Sequence, residues 1–161
     1  MTLDFSKTPA SVWKHPVHWM AFGFGSGAAP VAPGTFGTLA AIPIYLLMND
    51  LQTWVYALVV LAFFVSGVWL CGKTSADIGV EDHGGIVWDE FTGYFVTMFM
   101  APPGWLWVAA GFILFSLFDI WKPWPIKALD QNVKGGLGIM VDDVLAGVFA
   151  AVCLQLLALA A

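Results

Sequence analysis

The stretch IMVDDVLAGVFAAVCLQLLALAA at residues 139–161 is apolar almost throughout, yet it carries Asp142 and Asp143 near its start. A second stretch, IVWDEFTGYFVTMFMA at residues 86–101, holds Asp89 and Glu90 in the same way. An ionised side chain at the centre of an inserted helix costs about 2.5–3.5 kcal/mol. Four carboxylates in such surroundings therefore require a cation, a water-filled site or both. Ionisable groups at membrane depth are functional by default, and these pairs point to an acidic metal site at a membrane face.

Composition supports a membrane setting. The chain has 161 residues, 60% of them hydrophobic and 11% charged, with a mean hydropathy of +0.82. That profile belongs to integral membrane proteins, and the length suits one domain rather than the paired repeats of a large transporter. The expected fold is all-α, a compact integral-membrane helical bundle with about five membrane-embedded helices, some short or re-entrant. Net charge is −5, with 11 acidic residues against six lysines and no arginine. Nucleic acid is excluded as a partner on that balance, and phosphate would have to be held by lysine, backbone N–H groups or metal. Cys71 and Cys153 lie in apolar sequence and read as buried free thiols. Residues 1–15 lack an apolar core followed by a small-residue cleavage site, so no signal peptide is expected.

Hydropathy places the candidate spans at Thr35–Met48, Trp54–Cys71, Ile86–Ala101, Trp105–Trp121 and Met140–Ala160. Several are shorter than the ~20 residues a crossing usually takes, and four spans with one re-entrant segment is the competing arrangement. Lys7 and Lys14 precede the first span, Lys73 follows the second, and Lys122, Lys127 and Lys134 follow the fourth. All fall on one side, which the positive-inside rule assigns to the cytoplasm. Asp77, Glu81, Asp82, Asp89, Glu90, Asp119, Asp142 and Asp143 then share the cytoplasmic ends of their helices. Residues 1–22 read as a cytoplasmic or interfacial segment and 23–161 as one membrane-embedded domain. Small-residue spacings, Asp142, Ala146, Ala150 and Asp143, Gly147, Ala151, favour close helix contact.

Residues 67–74, GVWLCGKT, match the phosphate-binding G-x-x-x-x-G-K-[ST] pattern. That loop must follow a strand and open a helix, whereas these residues finish an apolar span, so the match is rejected. The glycine-rich run before Thr38 is a better phosphate nest, because Gly34 and Thr35 at a helix start offer N–H and hydroxyl donors. Clustered carboxylates at 77–90 suit Mg²⁺ better than zinc. His83 could shuttle protons, although a lone loop histidine is more often a capping group; His15 and His18 carry no functional claim.

Four segments together resemble the phosphatidylglycerophosphatase A family: GSGAAPVAPGTFGT at 25–38, DHGGIVWDEF at 82–91, FDIWKPWPI at 118–126 and GGLGIMVDDVLAG at 135–147. The resemblance implies an all-helical, Mg²⁺-dependent enzyme of the bacterial inner membrane that removes the terminal phosphate of phosphatidylglycerophosphate. It carries onto Asp82, Asp89, Glu90, Asp119, Asp142 and Asp143 as the catalytic acids. Within them Asp89, Glu90, Asp142 and Asp143 are the expected metal ligands, and Gly34, Thr35, Thr38, Lys122 and Lys134 the phosphate or lipid-binding residues. The pattern departs at Ser116, where the family has arginine. Weak substrate binding, a lysine acting in its place, or an altered variant would each account for that.

The reading is hydrolysis of a lipid phosphomonoester by direct attack of water, with Asp82 or His83 taking the proton. Its rival is a small cation- or proton-conducting membrane protein, for which buried acids are also a signature. The nearly pure apolar runs Val108–Leu114 and Val152–Leu159 count against a path through the full thickness.

Overall fold

Seven α-helices and two short 3-10 turns carry residues 8–161, the part of the chain that the computed structural model describes. Lys7 of the topology argument lies outside the described residues. A 3-10 turn at Ala10–Trp13 leads to α1 (Pro16–Ala21), and a second at Gly23–Ala28 leads to α2 (Pro33–Met48). Then follow α3 (Thr53–Ile78), α4 (Trp88–Thr97), α5 (Trp105–Trp121), α6 (Ile126–Asn132) and α7 (Gly135–Ala160). No strand occurs among the described residues.

The helix boundaries follow local chemistry. Pro33, lacking an N–H, opens α2, where that donor would be unpaired in any case. Gly79 in the left-handed conformation (φ 76°) closes α3. Lys122, also left-handed at φ 45°, ends α5 ahead of Pro123. Residues 67–74 lie inside α3 as continuous helix, so the nucleotide-loop pattern has no loop to form.

Two helices, Thr53–Ile78 and Gly135–Ala160, are long and apolar enough to cross a membrane, and Trp105–Trp121 with Ile126–Asn132, bent by 54°, raises the number to three. The 16-residue α2 is apolar but shorter. Large aliphatic side chains such as Leu58, Leu61 and Val65 on α3, Ile113 and Leu117 on α5, and Val152 and Leu156 on α7 are exposed. In a bilayer that outward surface is solvated by lipid tails, so it carries no penalty.

At the centre stands α4. All its residues but Val96 are buried, and at 10 residues it is about 15 Å long, half the thickness of a hydrocarbon core. Its sequence was expected to run helical from Ile86 to Ala101; the helix ends at Thr97 because Met98–Met100 turn before Pro102. Neighbours satisfy the carbonyls this leaves: Tyr56 Oη donates to Phe95 O at 2.7 Å, and Gln155 Nε2 to Met100 O at 2.9 Å. Along its length α4 packs on α7, and α7 also packs on α3, α5 and α6. The backbones come so close that a Cβ on Gly147 would run into the Gly93 carbonyl, and one on Gly136 into the Val68 carbonyl of α3. These contacts set the rotation of α7, hence where its acids point.

Candidate functional site

Successive reversals of the chain bring the start of α2, the start of α4, the end of α5 and the first turns of α7 to one end of the bundle. Asp142 and Asp143 lie seven and eight residues beyond Gly135, about 11–12 Å into α7. They therefore sit below its tip, among neighbouring helices. Asp89 and Glu90 occupy the first turn of α4, where the positive end of the helix dipole favours carboxylates.

Three acids converge. One oxygen each from Glu90, Asp119 and Asp143 lies within 4.8 Å of the others, with Glu90 and Asp143 buried and Asp119 half-buried. Thr38 Oγ1 lies 2.8 Å from Glu90 Oε2 and 3.1 Å from the Gly34 carbonyl. Its one proton goes to the carboxylate, the stronger acceptor, which ties α2 to α4. Glu90 and Asp143 of the expected metal set thus meet Asp119, which sequence reading counted among the catalytic acids alone.

The other two acids of that set are placed differently. Asp142 Oδ2 accepts from Lys122 Nζ at 2.5 Å, and the same ammonium reaches Asp130 Oδ1 at 3.1 Å. Asp89 Oδ1, Asp142 Oδ1 and Asp143 Oδ2 are buried with no hydrogen-bond partner among the described residues. Buried polar atoms are nearly always paired, and three orphaned carboxylate oxygens in one region are acceptors that a cation could satisfy. Hard oxygen donors of this kind fit Mg²⁺.

A cavity of about 170 Å³ adjoins the cluster, lined by Ala32, Gly34, Thr35, Thr38, Glu90, Ser116, Asp119 and Ile120. The phosphate-binding candidates Gly34, Thr35 and Thr38 are all on its wall. Lys134 is elsewhere, in a cavity of about 330 Å³ that it shares with Glu81, Asp82, Asp130 and Gln131. Lys122 is committed to its two carboxylates.

The turn between α3 and α4 holds the remaining candidates. Asp82 adopts φ 106°, a conformation that a residue with a side chain rarely takes. Asp82 is exposed to solvent, while the protein on the inner side of its carboxyl pushes the pKa above the ordinary range; Lys122 opposes this, and Asp130, Asp119 and Glu81 reinforce it. His83 is buried, and burial pushes its pKa down against the pull of Asp82. Its Nδ1 accepts the Gly85 N–H at 3.0 Å, which leaves the proton of the neutral ring on Nε2. Asp77 is drawn away to Lys73 at 2.8 Å and His18 at 3.0 Å.

Two participants escaped sequence reading. Asp130 bridges to Lys122 across the bend between α5 and α6, and no periodicity links residues on either side of a break. Ser116 stood out as a departure from a family pattern, whereas in the fold it is one of the residues lining the cavity.

Fold and site together define a class: a helical membrane protein with a buried acidic centre at one end of its bundle. Residues 19–158 match the family model described as Phosphatidylglycerophosphatase A. Phosphatidylglycerophosphatase A of Escherichia coli is 54% identical over 85% of this chain and 80% of its own. The protein of that name from Haemophilus influenzae is 45% identical over 86% of each. A Bacteroides thetaiotaomicron relative, 40% identical over 80% of this chain and 84% of its own, bears provisionally the name phosphatidylinositol-3-phosphatase. No solved structure matches the chain. The chain belongs to the phosphatidylglycerophosphatase A family.

Proposed function

We infer that this membrane enzyme, a phosphoric monoester hydrolase, converts phosphatidylglycerophosphate to phosphatidylglycerol and phosphate, and does so with Mg²⁺ at the cytoplasmic face of the bacterial inner membrane. The observation that carries the reading is the Glu90, Asp119 and Asp143 cluster opening onto a cavity walled by the first turn of α2. The names of the relatives favour hydrolysis over ion conduction.

Glu90, Asp119 and Asp143 would hold the ion, with Asp89 and Asp142 contributing directly or through water. When bound, Mg²⁺ supplies positive charge against the carboxylates and the substrate phosphate and makes water more acidic. The chain's own groups do the rest. Helix starts leave their first N–H groups unpaired, so those of Gly34 and Thr35 can bind phosphate oxygens. Thr38 fixes the orientation of Glu90, and Lys122 holds Asp142 in an ion pair. Water forms the new bond to phosphorus, the ester P–O bond breaks, and the glycerol oxygen leaves with the proton that the attacking water gives up, relayed by the general base. Asp82, on the turn that leads into α4, is the proposed acceptor of the attacking water's proton.

In the proposed arrangement α2, α3, α4, α5 and α7 are the membrane-embedded helices, with α4 a half-length element inside the bundle. Of the described residues, 8–22 form the interfacial segment and 23–161 the phosphatase domain. Lysines at 14, 73, 122, 127 and 134 mark the cytoplasmic side.

The test is phosphate release by the purified protein from phosphatidylglycerophosphate and from phosphatidylinositol 3-phosphate, with Mg²⁺ and after chelation. Turnover of the first lipid, lost on chelation and lost in Asp143→Asn and Asp89→Asn, is the expected result. Preference for the inositol lipid would overturn the substrate, and indifference to chelation would overturn the metal.

A further inference from the structure

Ser116 Oγ is buried and has no hydrogen-bond partner among the described residues. A serine within a helix commonly returns its hydroxyl to the carbonyl one turn back, and this one does not. Ser116 is also one of the residues that line the 170 Å³ cavity, several times the ~30 Å³ share of one water molecule. On the same helix Asp119 and Ile120 follow it at the cavity wall; across from them are Gly34 and Thr35 of α2. The wall is thus polar at Ser116, Thr38, Glu90 and Asp119, and apolar at Ile120, which is 75% exposed on the outer surface of the bundle.

We propose that Ser116 contacts substrate, its hydroxyl donating a hydrogen bond to a phosphate oxygen of a lipid headgroup that reaches the cavity laterally between α2 and α5. The inference rests on the phosphatase reading above and names a residue that reading does not use. A phosphate ester supplies the acceptor that the hydroxyl lacks. Ile120 at the lipid-facing edge gives the acyl-bearing part of the molecule an apolar exit, so the headgroup can be held while its tails stay in the bilayer. A serine hydroxyl needs no counter-charge beside Glu90 and Asp119, and it can rotate to whichever oxygen is presented.

The test compares wild type, Ser116→Ala and Ser116→Thr as full-length proteins in lipid nanodiscs with Mg²⁺. It measures kcat and KM for phosphatidylglycerophosphate and the calorimetric affinity for inorganic phosphate. Ser116→Ala should raise KM about tenfold, as expected for losing a hydrogen bond to a charged group, with kcat held within about twofold. Ser116→Thr, which keeps the hydroxyl, should stay near wild type in both. Weaker binding of both lipid and inorganic phosphate supports contact with the transferred phosphate, and a loss confined to the lipid supports contact with the ester oxygen. Wild-type behaviour of Ser116→Ala with both probes overturns the contact, as does a Ser116→Thr protein as impaired as Ser116→Ala. Wild-type protein that neither hydrolyses the lipid nor binds phosphate overturns the phosphatase reading and the contact with it.

Discussion

Lys122 Nζ lies 2.5 Å from Asp142 Oδ2, joining the left-handed break after α5 to the buried acid pair of α7. The side chains are 27% and 6% exposed, so the pair is partly withdrawn from water. Removing one partner of such a pair strands the other charge. Lys122→Ala should destabilise the protein by about 2 kcal/mol, less than the ~3–5 of a fully enclosed pair because the lysine keeps some solvent. Asp142→Asn in the same background should recover much of that loss. Thermal unfolding of the two single variants and the double variant provides the cycle; equal additive losses would show that the contact carries no coupling.

Thr38 and Glu90 are 52 residues apart in sequence and meet at 2.8 Å in the core. Thr38→Val preserves shape and deletes the donor. Expected are a loss of roughly 1.5–3 kcal/mol in stability, the range for a hydrogen bond to a charged group, and a shifted Mg²⁺ dependence of turnover, because Glu90 loses its fixed orientation. Thr38→Ser should restore both. An unchanged Mg²⁺ titration in Thr38→Val would separate this bond from the metal.

At φ 106°, Asp82 holds a backbone shape that glycine adopts without strain. Asp82→Gly should raise Tm, since relief of such strain is worth on the order of 1 kcal/mol, while phosphate release falls. Asp82→Asn keeps the strain and removes only the proton acceptor, so it should lose activity without gaining stability. If Asp82→Gly turns over lipid at the wild-type rate, the proton goes elsewhere.

Burial holds the His83 pKa below its ordinary value of about 6.5. As pH falls below that value the unfolded chain takes up a proton that the folded ring resists, so this contribution to stability is present above pH 6.5 and declines towards the lower folded pKa. His83→Asn keeps an acceptor for the Gly85 N–H and cannot titrate. The drop in Tm between pH 7.5 and pH 5.5 should be smaller in this variant. An equal drop would place the acid sensitivity in other groups.

Hydropathy and lysine parity made the helices and their common acidic end legible in advance. Boundaries were less so, and each miss has a cause in packing. The last span was placed from Met140, yet its helix opens five residues earlier at Gly135, and its tip lies on α3 where Gly136 meets Val68 and Gly72. Only a residue without a side chain fits that approach. The helix within 86–101 closes early at the turn before Pro102, and Gln155, from the last part of the chain, donates to the carbonyls of Phe99 and Met100 that the turn leaves. Nothing local announces a partner 55 residues away.

Sequence alone determined that this is an all-helical membrane protein with its acids at one level, because burial of apolar side chains and a rise of about 1.5 Å per residue assign each carboxylate a depth along its helix. Depth says nothing about rotation. Only the tertiary structure decided that Asp119 stands with Glu90 and Asp143 while Asp142 turns to Lys122. The reason is steric: close backbone approach at Gly93 and Gly147, and at Gly136 and Val68, fixes how α7 is turned against α4 and α3, and with it which oxygens share a site.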